Sequence, residues 1–501
     1  MAQYVRRDIW GLSETDPWHP IIEAYALGVR ELQRPERAEP LTWAYQAKIH
    51  ALPRGVAGDQ FLAQCQHFCW FFLPWHRLYL YYFERIVRAA IQTLDEVDED
   101  VKAQWALPYW NYERNDAARS LPPAFRDQTL AGRGEPNPLF IRQRKPGRNQ
   151  GTPLDPNDVR SDLARLPREF AFPDGSVGGF AGPAVGPSHV GEVAGADSGE
   201  LENAPHGSVH VQVGGLRQAG DPQDGLMAIF ATAGLDPLFW LHHCNLDRLW
   251  EMWLGEDDAH VNPPAGSPFY APSFHFHDEA GAAVAKTAEF AVDTAGNLEY
   301  TYEDITPPAP PRRRGRRRTT TPMSEDAATN PPEFVGGTPK PIRLAGAEER
   351  VSFETARPTG PMARRGGGRP ERVYLRFEGI TGEQPGITYA VYLNLPDDDA
   401  TAADPEDYYV GNLAFFGVER AGDVDTDRPG GHGLNHAFDV TELVEALDDD
   451  DEWDPQEVRV TLSPVHSSGD AVRRRRGGAG PDPDAAETPA VQIGRVSVYY
   501  R

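Results

Sequence analysis

Six histidines fall into two groups along the chain, and each group lies in sequence that is rich in aromatic residues. The first group is His50, His67 and His76, and the second is His206, His210 and His243. Aromatic helices of this kind can pack as a bundle, in which metal sites are built from facing side chains. The pattern predicts a mainly α-helical domain, a four-helix bundle with long loops, around a buried histidine centre.

The helical pattern is clearest in two segments. Residues 59–94 carry apolar side chains at mixed three- and four-residue spacing, with Pro74 at a helix start. A second helix begins at Asp236 and Pro237, an N-cap acid followed by a proline at the first helical position. Residues 131–200 are rich in Gly and Pro and show little periodicity, so we expect long loops there.

The periodicity changes after residues 306–345, which combine a proline run with six arginines within seven residues. Such a composition cannot form a core and predicts an exposed linker. Beyond it, runs such as 372–380 and 491–500 alternate apolar and polar residues and are broken by turn residues. We therefore expect an α domain at 1–305, a linker at 306–345, and an antiparallel β-sandwich or barrel at 346–501.

Composition limits the partners and the location. The formal net charge of -26 argues against nucleic acid or an anionic membrane as a partner. The first residues lack an apolar signal-peptide core, and no run approaches the roughly 20 apolar residues of a membrane span. Three cysteines are too few for a disulfide framework. We expect a soluble, cytoplasmic protein, and the composition does not indicate an oligomeric state.

Two groups of three imidazoles suit a pair of copper ions. Imidazole is a neutral ligand that tolerates both copper oxidation states, and few nearby carboxylates leave little excess negative charge on the metals. Taken singly, each histidine is more often a satisfied core residue. His206 and His210 stand at i and i+4, which places both on one face of a helix. Two histidines at this spacing also occur in zinc hydrolases. A zinc protease would need a glutamate where this chain has Gly207, so that class is disfavoured.

Four segments together resemble the signatures of the type-3 copper family, which contains tyrosinases, catechol oxidases and molluscan-type hemocyanins. They are HFCWFFLPWHRLYLYYFE (67–84), LPYWNYE (107–113), PHGSVH (205–210) and DPLFWLHHCNLDRLWEMW (236–253). YTY at 300–302 is similar to the tyrosine motif that closes the family's catalytic domain, often beside an arginine such as Arg6 or Arg7. The β-rich tail resembles the carboxy-terminal domain of long polyphenol oxidases, which commonly covers the copper site.

The resemblance implies the ligands of two copper ions. The first copper is expected to be bound by one set of three histidines and the second copper by the other set: His50, His67 and His76, then His206, His210 and His243. His242 then lies behind the ligands. Cys65 is expected to be bonded through sulfur to His67, as in fungal and molluscan members, and a free buried thiol is the alternative.

Three further residues have expected roles in the resemblance. Glu202 is expected to hold a water near the coppers and to accept a phenolic proton, although an acid at a helix N-terminus is a sufficient alternative. Phe230 is expected to lie over one copper as a gate, and an ordinary core phenylalanine is the alternative. Gly207 stands where many monophenol-hydroxylating members have asparagine or aspartate.

The resemblance implies a polyphenol oxidase that oxidises o-diphenols to o-quinones with O2, acting on a phenolic small molecule. Gly207 and Phe230 favour a catechol oxidase, while Glu202 leaves room for weak monophenol hydroxylation. A tyrosinase and an o-aminophenol oxidase are close variants, and a hemocyanin-like O2 carrier is the alternative of another class. The arginine run within 306–345 also predicts a latent form that cleavage activates, with a solvated basic spacer as the alternative.

Overall fold

Two hydrophobic cores divide the molecule, one built from helices and one from strands. The structure, a computed structural model, describes residues 3–53, 55–130, 132–163, 166–172, 177–187, 197–215, 225–307, 332–356, 370–383, 386–396, 404–421, 433–465 and 490–501. The α domain (residues 3–307) builds the core that extends from Ile9 to Tyr302. The β domain (residues 332–501) builds the core from Val335 to Tyr500. The predicted fold class, a helical domain followed by a β-rich domain, is confirmed.

Each core contains one phenylalanine from the other domain. Phe416 of the β domain packs into the core of the α domain, and Phe68 of the α domain packs into the core of the β domain. Both side chains are almost completely buried, with exposures of 6% and 8%. The two domains therefore share an interface in which each fills a space in the other.

Helix α4 is the longest helix of the α domain and packs against α2 and α9. Helix α9 begins as predicted, since the Asp236 carboxylate accepts the N–H of Leu238 at 3.0 Å and Pro237 occupies the first position. Among the described residues, no helix combines the length and apolar character that crossing a bilayer requires. The helices are α1 (Ile9–Thr15), α2 (Pro20–Leu32), α3 (Trp43–His50), α4 (Phe72–Gln92), α5 (Glu99–Gln104), α6 (Pro156–Val159), α7 (Ser208–Gly214), α8 (Phe230–Ala233), α9 (Pro237–Leu254) and α10 (Ala288–Ala291), and a π-helical segment (Glu202–Gly207) leads into α7.

Helix α4 starts later than the periodicity predicted. Residues 59–71 form a loop, and the helix begins at Phe72. Phe68 has a φ of 55°, a left-handed conformation that no helix accommodates, and its N–H donates to the Glu202 carboxylate at 2.9 Å. A contact with a residue far along the chain therefore overrides the local helical pattern before Phe72.

A buried ionic network ties the beginning and end of the α domain to its central helices. The Arg6 guanidinium donates to Glu84 of α4 at 2.8 Å and to Asp247 of α9 at 3.2 Å. Its Cζ lies 3.6 Å from the ring centroid of Tyr300, where the tyrosine motif predicted a cation. Strands β1 (Tyr4–Arg6) and β4 (Tyr300–Tyr302) pair in parallel beside this network. The network fixes α4 and α9, which carry His76 and His243, relative to each other.

The β domain contains two antiparallel sheets. One has the order β10-β9-β12-β7, and the other has the order β5-β14-β8-β13-β6 with β11 also paired to β8. Helix α11 (Val418–Ala421) follows β10, and α12 (Thr441–Asp449) follows β11. The strands are β2 (Ser273–His277) and β3 (Ala283–Thr287), a hairpin in the α domain, and then β5 (Glu333–Gly337), β6 (Ile342–Leu344), β7 (Glu349–Phe353), β8 (Val373–Gly382), β9 (Thr388–Leu393), β10 (Tyr409–Leu413), β11 (Leu434–Asp439), β12 (Val458–Val465), β13 (Val491–Ile493) and β14 (Arg495–Tyr500).

The predicted boundary at residue 346 is wrong. Strands β5 and β6 lie inside the predicted linker and pair with β14 and β13 at the end of the chain. Both strands are short and are flanked by proline or glycine, so their local sequence resembles a linker, and only the distant partner strands define them. The β domain begins at Glu333. The arginine run of the predicted linker lies outside the described residues.

Candidate metal centre

The structure brings the six predicted histidines together as two buried sets. In each set the three ligand atoms lie within 4.8 Å of one another. They come from separate elements: His50 ends α3, His67 lies in the loop before α4, His76 lies in α4, His206 lies in the π-helical segment, His210 lies in α7 and His243 lies in α9.

The two sets face each other. The rings of His76 and His243, one from each set, stack with centroids 4.6 Å apart and an angle of 13°. The rings of His67 and His206 lie 5.4 Å apart across the same boundary. Two metal ions, one in each set, would therefore be neighbours.

Hydrogen bonds to the main chain fix the tautomer of four of these imidazoles. A carbonyl oxygen can only accept a hydrogen bond, so the bonded Nδ1 carries the proton and Nε2 keeps its lone pair. This is the tautomer in which Nε2 binds a metal. At 2.7–3.0 Å, Nδ1 of His50 donates to the carbonyl of Phe230, His76 to Phe72, His206 to Glu202 and His210 to Met227.

The Nε2 atoms of these imidazoles are suited to bind metal ions and not to carry a second proton. Nε2 of His76 and of His206 is buried and has no hydrogen-bond partner within the described ranges. Burial, with a contribution from neighbouring imidazoles, holds the pKa of His76, His206, His210 and His243 well below the usual value. Neutral imidazoles in an all-nitrogen set are donors that copper prefers, so the residues fit the predicted pair of copper ions.

Glu202 contacts both sets of histidines. Its buried carboxylate accepts from Nδ1 of His67 at 2.8 Å and from the N–H of Phe68, while its carbonyl accepts from Nδ1 of His206. Burial raises the pKa of Glu202 to about 8, although the hydrogen bond from Phe68 opposes this. The carboxylate is thus engaged with a ligand of the first set, a contact that the sequence did not indicate. Its role in holding a water stays a prediction.

Phe230 lies beside the first set. Its ring stacks on that of His50 at 5.8 Å and 19°, and it contacts the ring of His67 edge-to-face at 4.7 Å. On its other side it lies 4.3 Å from the ring of Phe416. Phe230 therefore separates the first set of histidines from the β domain, a position compatible with the predicted gate.

Phe416 of the β domain covers the second set. Its ring is stacked on His210 with centroids 4.2 Å apart and an angle of 11°, and it lies 5.5 Å from the ring of His206. Gly207 makes room for this approach, because a Cβ at that position would lie 3.1 Å from the Cβ of Ala414 and 3.5 Å from that of Phe416. The glycine between the two ligands of the second set thus faces the β domain.

Sequence reasoning missed Phe416. The run at 410–418 reads as one strand, but β10 ends at Leu413 and residues 414–417 form what we call the cover loop. Phe415 packs into the β core while Phe416 points into the α domain. Gly417 has a φ of 88°, and a Cβ there would lie 2.5 Å from the Phe230 ring. Two adjacent aromatic residues before a glycine were the signal in the sequence, since a strand places only one of them on each face.

The covered centre leaves little space. A cavity of about 20 Å³ remains between the domains, lined by residues such as His67, Glu202, His206, Phe230 and Phe416. This volume is enough for about one water molecule. An aromatic ring is larger than this space while the cover loop is in place.

Cysteines and the additional histidine lie beside the centre. Cys65 is buried two residues before His67, and the thioether bond between them stays a prediction. Burial raises the pKa of the Cys244 thiol far above its usual value, which makes it unreactive. His242 is also buried, with its ring stacked on His206 at 5.9 Å and its pKa lowered to about 3 by burial. His242 therefore lies against two histidines of the second set, and its place behind the ligands stays a prediction.

Comparisons with known proteins agree with this geometry. The profile of the common central domain of tyrosinase matches residues 40–256, and that of a domain of unknown function, DUF7868, matches residues 331–501. Tyrosinase HcTyr1 of Hahella sp. (strain CCB-MM4) is 31% identical over 471 residues, which cover 88% of this chain and 92% of the relative. The chloroplastic (+)-larreatricin hydroxylase of Larrea tridentata is 26% identical, with coverages of 89% and 74%.

A solved structure shows the same fold over the whole chain. Latent apple tyrosinase superimposes with a TM-score of 0.64 at 21% identity, covering 100% of this chain and 98% of that one. Its likeness extends over both the helical and the β-rich domain.

The prediction of a cytoplasmic location, which we drew from composition, is wrong. The larreatricin hydroxylase of Larrea tridentata, which this chain matches over most of its length, is a chloroplastic protein. Cysteine content and the apolar character of the first residues describe composition alone, whereas a compartment is specified by targeting segments that differ between relatives.

Proposed function

Because the chain belongs to the tyrosinase family of copper oxidoreductases, we propose that it oxidises o-diphenols to o-quinones with O2. The observation that carries the proposal is the pair of facing three-histidine sets, with the Nδ1 protons of four imidazoles held by main-chain carbonyls. When bound, two copper ions supply the transfer of electrons from the diphenol to O2. Two diphenols, each losing two electrons and two protons, balance the reduction of one O2 to two waters.

The protein's own residues bind and orient the substrate. The stacking of Phe416 on His210 marks a position where an aromatic ring fits, so a phenolic ring would occupy this position once the cover loop has moved. Phe230 would form the opposite wall. We propose Glu202, whose carboxylate contacts His67, as the group that accepts a proton from a phenolic hydroxyl, because burial raises its pKa to about 8 and makes the ionised form a stronger base.

Gly207 supports an o-diphenol as the preferred substrate. A glycine offers no polar side chain beside His206 to position a monophenol or to accept its proton, and Phe230 narrows the approach to the first set. We therefore propose catechol oxidation as the main activity, with hydroxylation of monophenols and oxidation of o-aminophenols as slower reactions.

The covered centre supports a latent form. Phe416 fills the substrate position, and the remaining cavity of about 20 Å³ excludes a phenol. We propose that the protein is inactive toward catechols while Phe416 lies on His210, and that it becomes active when the cover loop moves.

The test compares the copper-loaded full chain with its Phe416→Ala variant on catechol, tyrosine and o-aminophenol. We expect at least about a tenfold higher rate of quinone formation from catechol in the variant, because removing the ring opens the site, with tyrosine oxidised more slowly. Phe415→Leu is the matched control, since Phe415 packs into the β core and its replacement leaves the ring of Phe416 in place.

Two outcomes would contradict the proposed function. An open variant that holds two copper ions and yet forms no quinone from any of the three compounds is not a polyphenol oxidase. If that variant binds O2 reversibly without turnover, the hemocyanin-like alternative is supported instead.

A further inference from the structure

The segment 197–203 joins the β domain to the helix turn that carries His206. Asp197 forms a buried ion pair with Arg376 of β8, whose Nη2 lies 2.9 and 3.1 Å from the two carboxylate oxygens. The N–H of Ser198 donates to the carbonyl of Asn435 in β11 at 3.1 Å. This end of the segment is therefore attached to two neighbouring strands of one sheet.

His436 of β11 adds a second attachment. Its Nδ1 lies 2.9 Å from the hydroxyl oxygen of Ser198, and its Nε2 lies 3.4 Å from the carboxylate of Glu200. The imidazole is 1% exposed, so its hydrogen bond with Ser198 is made out of water. A buried polar side chain that loses its partners is costly, which makes contacts of this kind specific.

Asn203 attaches the segment to the cover loop itself. Its side-chain amide donates to the carbonyl of Asn412 and accepts the N–H of Ala414 at 3.0 Å. These two bonds imitate the pairing of a neighbouring strand, and they end two residues before Phe416. The amide is almost fully buried, so both main-chain groups would be left without a partner if Asn203 were truncated.

The same segment reaches the metal centre in the other direction. Glu202, the neighbour of Asn203, contacts His67, and the segment continues directly into His206. The attachments to the β domain and the contacts to the histidines thus belong to one continuous stretch of main chain.

We propose that residues 197–203 form a polar latch that holds Phe416 over His210, with Asn203 as its positioning residue. The proposal deepens the proposed function, since it assigns the control of access to that same site. Cutting the chain between the domains leaves the latch intact, so opening requires the latch contacts themselves to break.

The first test follows amide hydrogen exchange of residues 409–418 in the full chain. Asn203→Ala and Arg376→Gln should each raise the exchange rate of this peptide by about tenfold, because each leaves buried polar groups, the main chain of residues 412 and 414 or the Asp197 carboxylate, without their partner. Glu406→Gln is the matched control. It breaks the ion pair of Arg160 with Glu406, which also joins the domains but is half exposed, and should leave exchange unchanged.

The second test separates a latch from a general loss of structure. In the full chain, Asn203→Ala should raise the rate of catechol oxidation several-fold, and it should add nothing in a chain that already carries Phe416→Ala, because no ring then remains to be held. Thermal unfolding of each variant checks that both domains are folded, and Arg376→Gln keeps the test valid if Asn203→Ala does not fold.

Hydrogen exchange measures the latch, whereas quinone formation measures the oxidase activity. Unchanged exchange of residues 409–418 in both latch variants overturns the latch, whatever the activity. Faster exchange without any quinone formation supports the latch and contradicts the proposed oxidase.

Discussion

At the residue scale, Glu202 contacts both sets of histidines through different atoms. Its carboxylate orients His67 of the first set, while only its main-chain carbonyl contacts His206 of the second set. The two sets therefore depend on different atoms of the same residue. A change confined to the side chain should distinguish them.

Glu202→Gln should weaken the first copper site alone. An amide is a poorer acceptor than a carboxylate for the Nδ1 proton of His67, and loss of such a partner typically lowers metal affinity by about 10–100-fold. Copper content during titration with a chelator should show one ion leaving early and one leaving as in the unchanged chain. Glu279→Gln, whose carboxylate pairs with Arg85 in the α domain, is the control. Equal loss of both ions would refute this assignment.

The histidines could be predicted from the sequence because the segments that carry them resemble the signatures of the type-3 copper family, and the structure places all six as two sets. The contacts of Glu202 and Phe416 could not be predicted. Glu202 lies 135 residues from His67, and Phe416 reaches the centre from another domain. Periodicity describes neighbours along one element and carries no information about contacts over such distances.

At the scale of elements, the short helix α6 carries a carboxyl group, that of Asp158, whose burial disfavours ionisation. Asp158 is fully buried, and burial raises its pKa to about 7, although Lys145 lowers it. The preceding residue, Asn157, accepts through its carbonyl from Asn412 of β10, so α6 lies against the β domain. Above the raised pKa the folded state must hold an ionised carboxylate out of contact with water.

Asp158→Asn should stabilise the protein at alkaline pH. The folded-state pKa exceeds the unfolded one, so folding favours the protonated form and loses stability as pH rises from about 4 to about 7. The variant avoids this loss, so it should be more stable by up to about 4 kcal/mol and unfold at a temperature several degrees higher at pH 8, with little difference at pH 4. Calorimetry at both pH values checks this. A lower unfolding temperature at pH 8 would mean that Lys145 pairs with the carboxylate strongly enough to outweigh burial.

Elements were predictable where local signals are strong. The cap at Asp236 and Pro237 identified the start of α9, whereas β5 and β6 were assigned to a linker because their pairing strands lie at the far end of the chain. The early end of β10 at Leu413 likewise depends on Asn203, which takes over the pairing of residues 412 and 414.

At the scale of the whole molecule, many contacts besides the covalent connection join the two domains. Arg372 of the β domain donates to Glu169 at 3.0 Å, and Lys145 donates to the carbonyl of Gly386 at 3.2 Å, in addition to the latch. Phe68 and Phe416 add apolar contacts. These contacts are distributed over both sheets.

The arginine run at 312–318 predicted on its own that cleavage there activates the protein, but the contacts between the domains lead us to expect that the two parts stay bound after the cut. We expect them to elute together in size-exclusion chromatography and to remain nearly inactive toward catechol, because Phe416 stays on His210. Cleavage of the Asn203→Ala variant is the comparison and should give a clear rise in rate. Full activity of the cut but otherwise unchanged chain would show that the connection, and not the latch, restrains the β domain.

The exchange of one phenylalanine in each direction, Phe68 outward and Phe416 inward, has a consequence for attempts to shorten the protein. A chain shortened to the α domain would expose the Phe68 side chain and, next to it, the apolar space that Phe416 fills. We expect such a product to self-associate through this surface. To uncover the histidine centre permanently, replacing Phe416 is therefore preferable to deleting the β domain. The β domain thus also keeps an apolar surface of the α domain out of water.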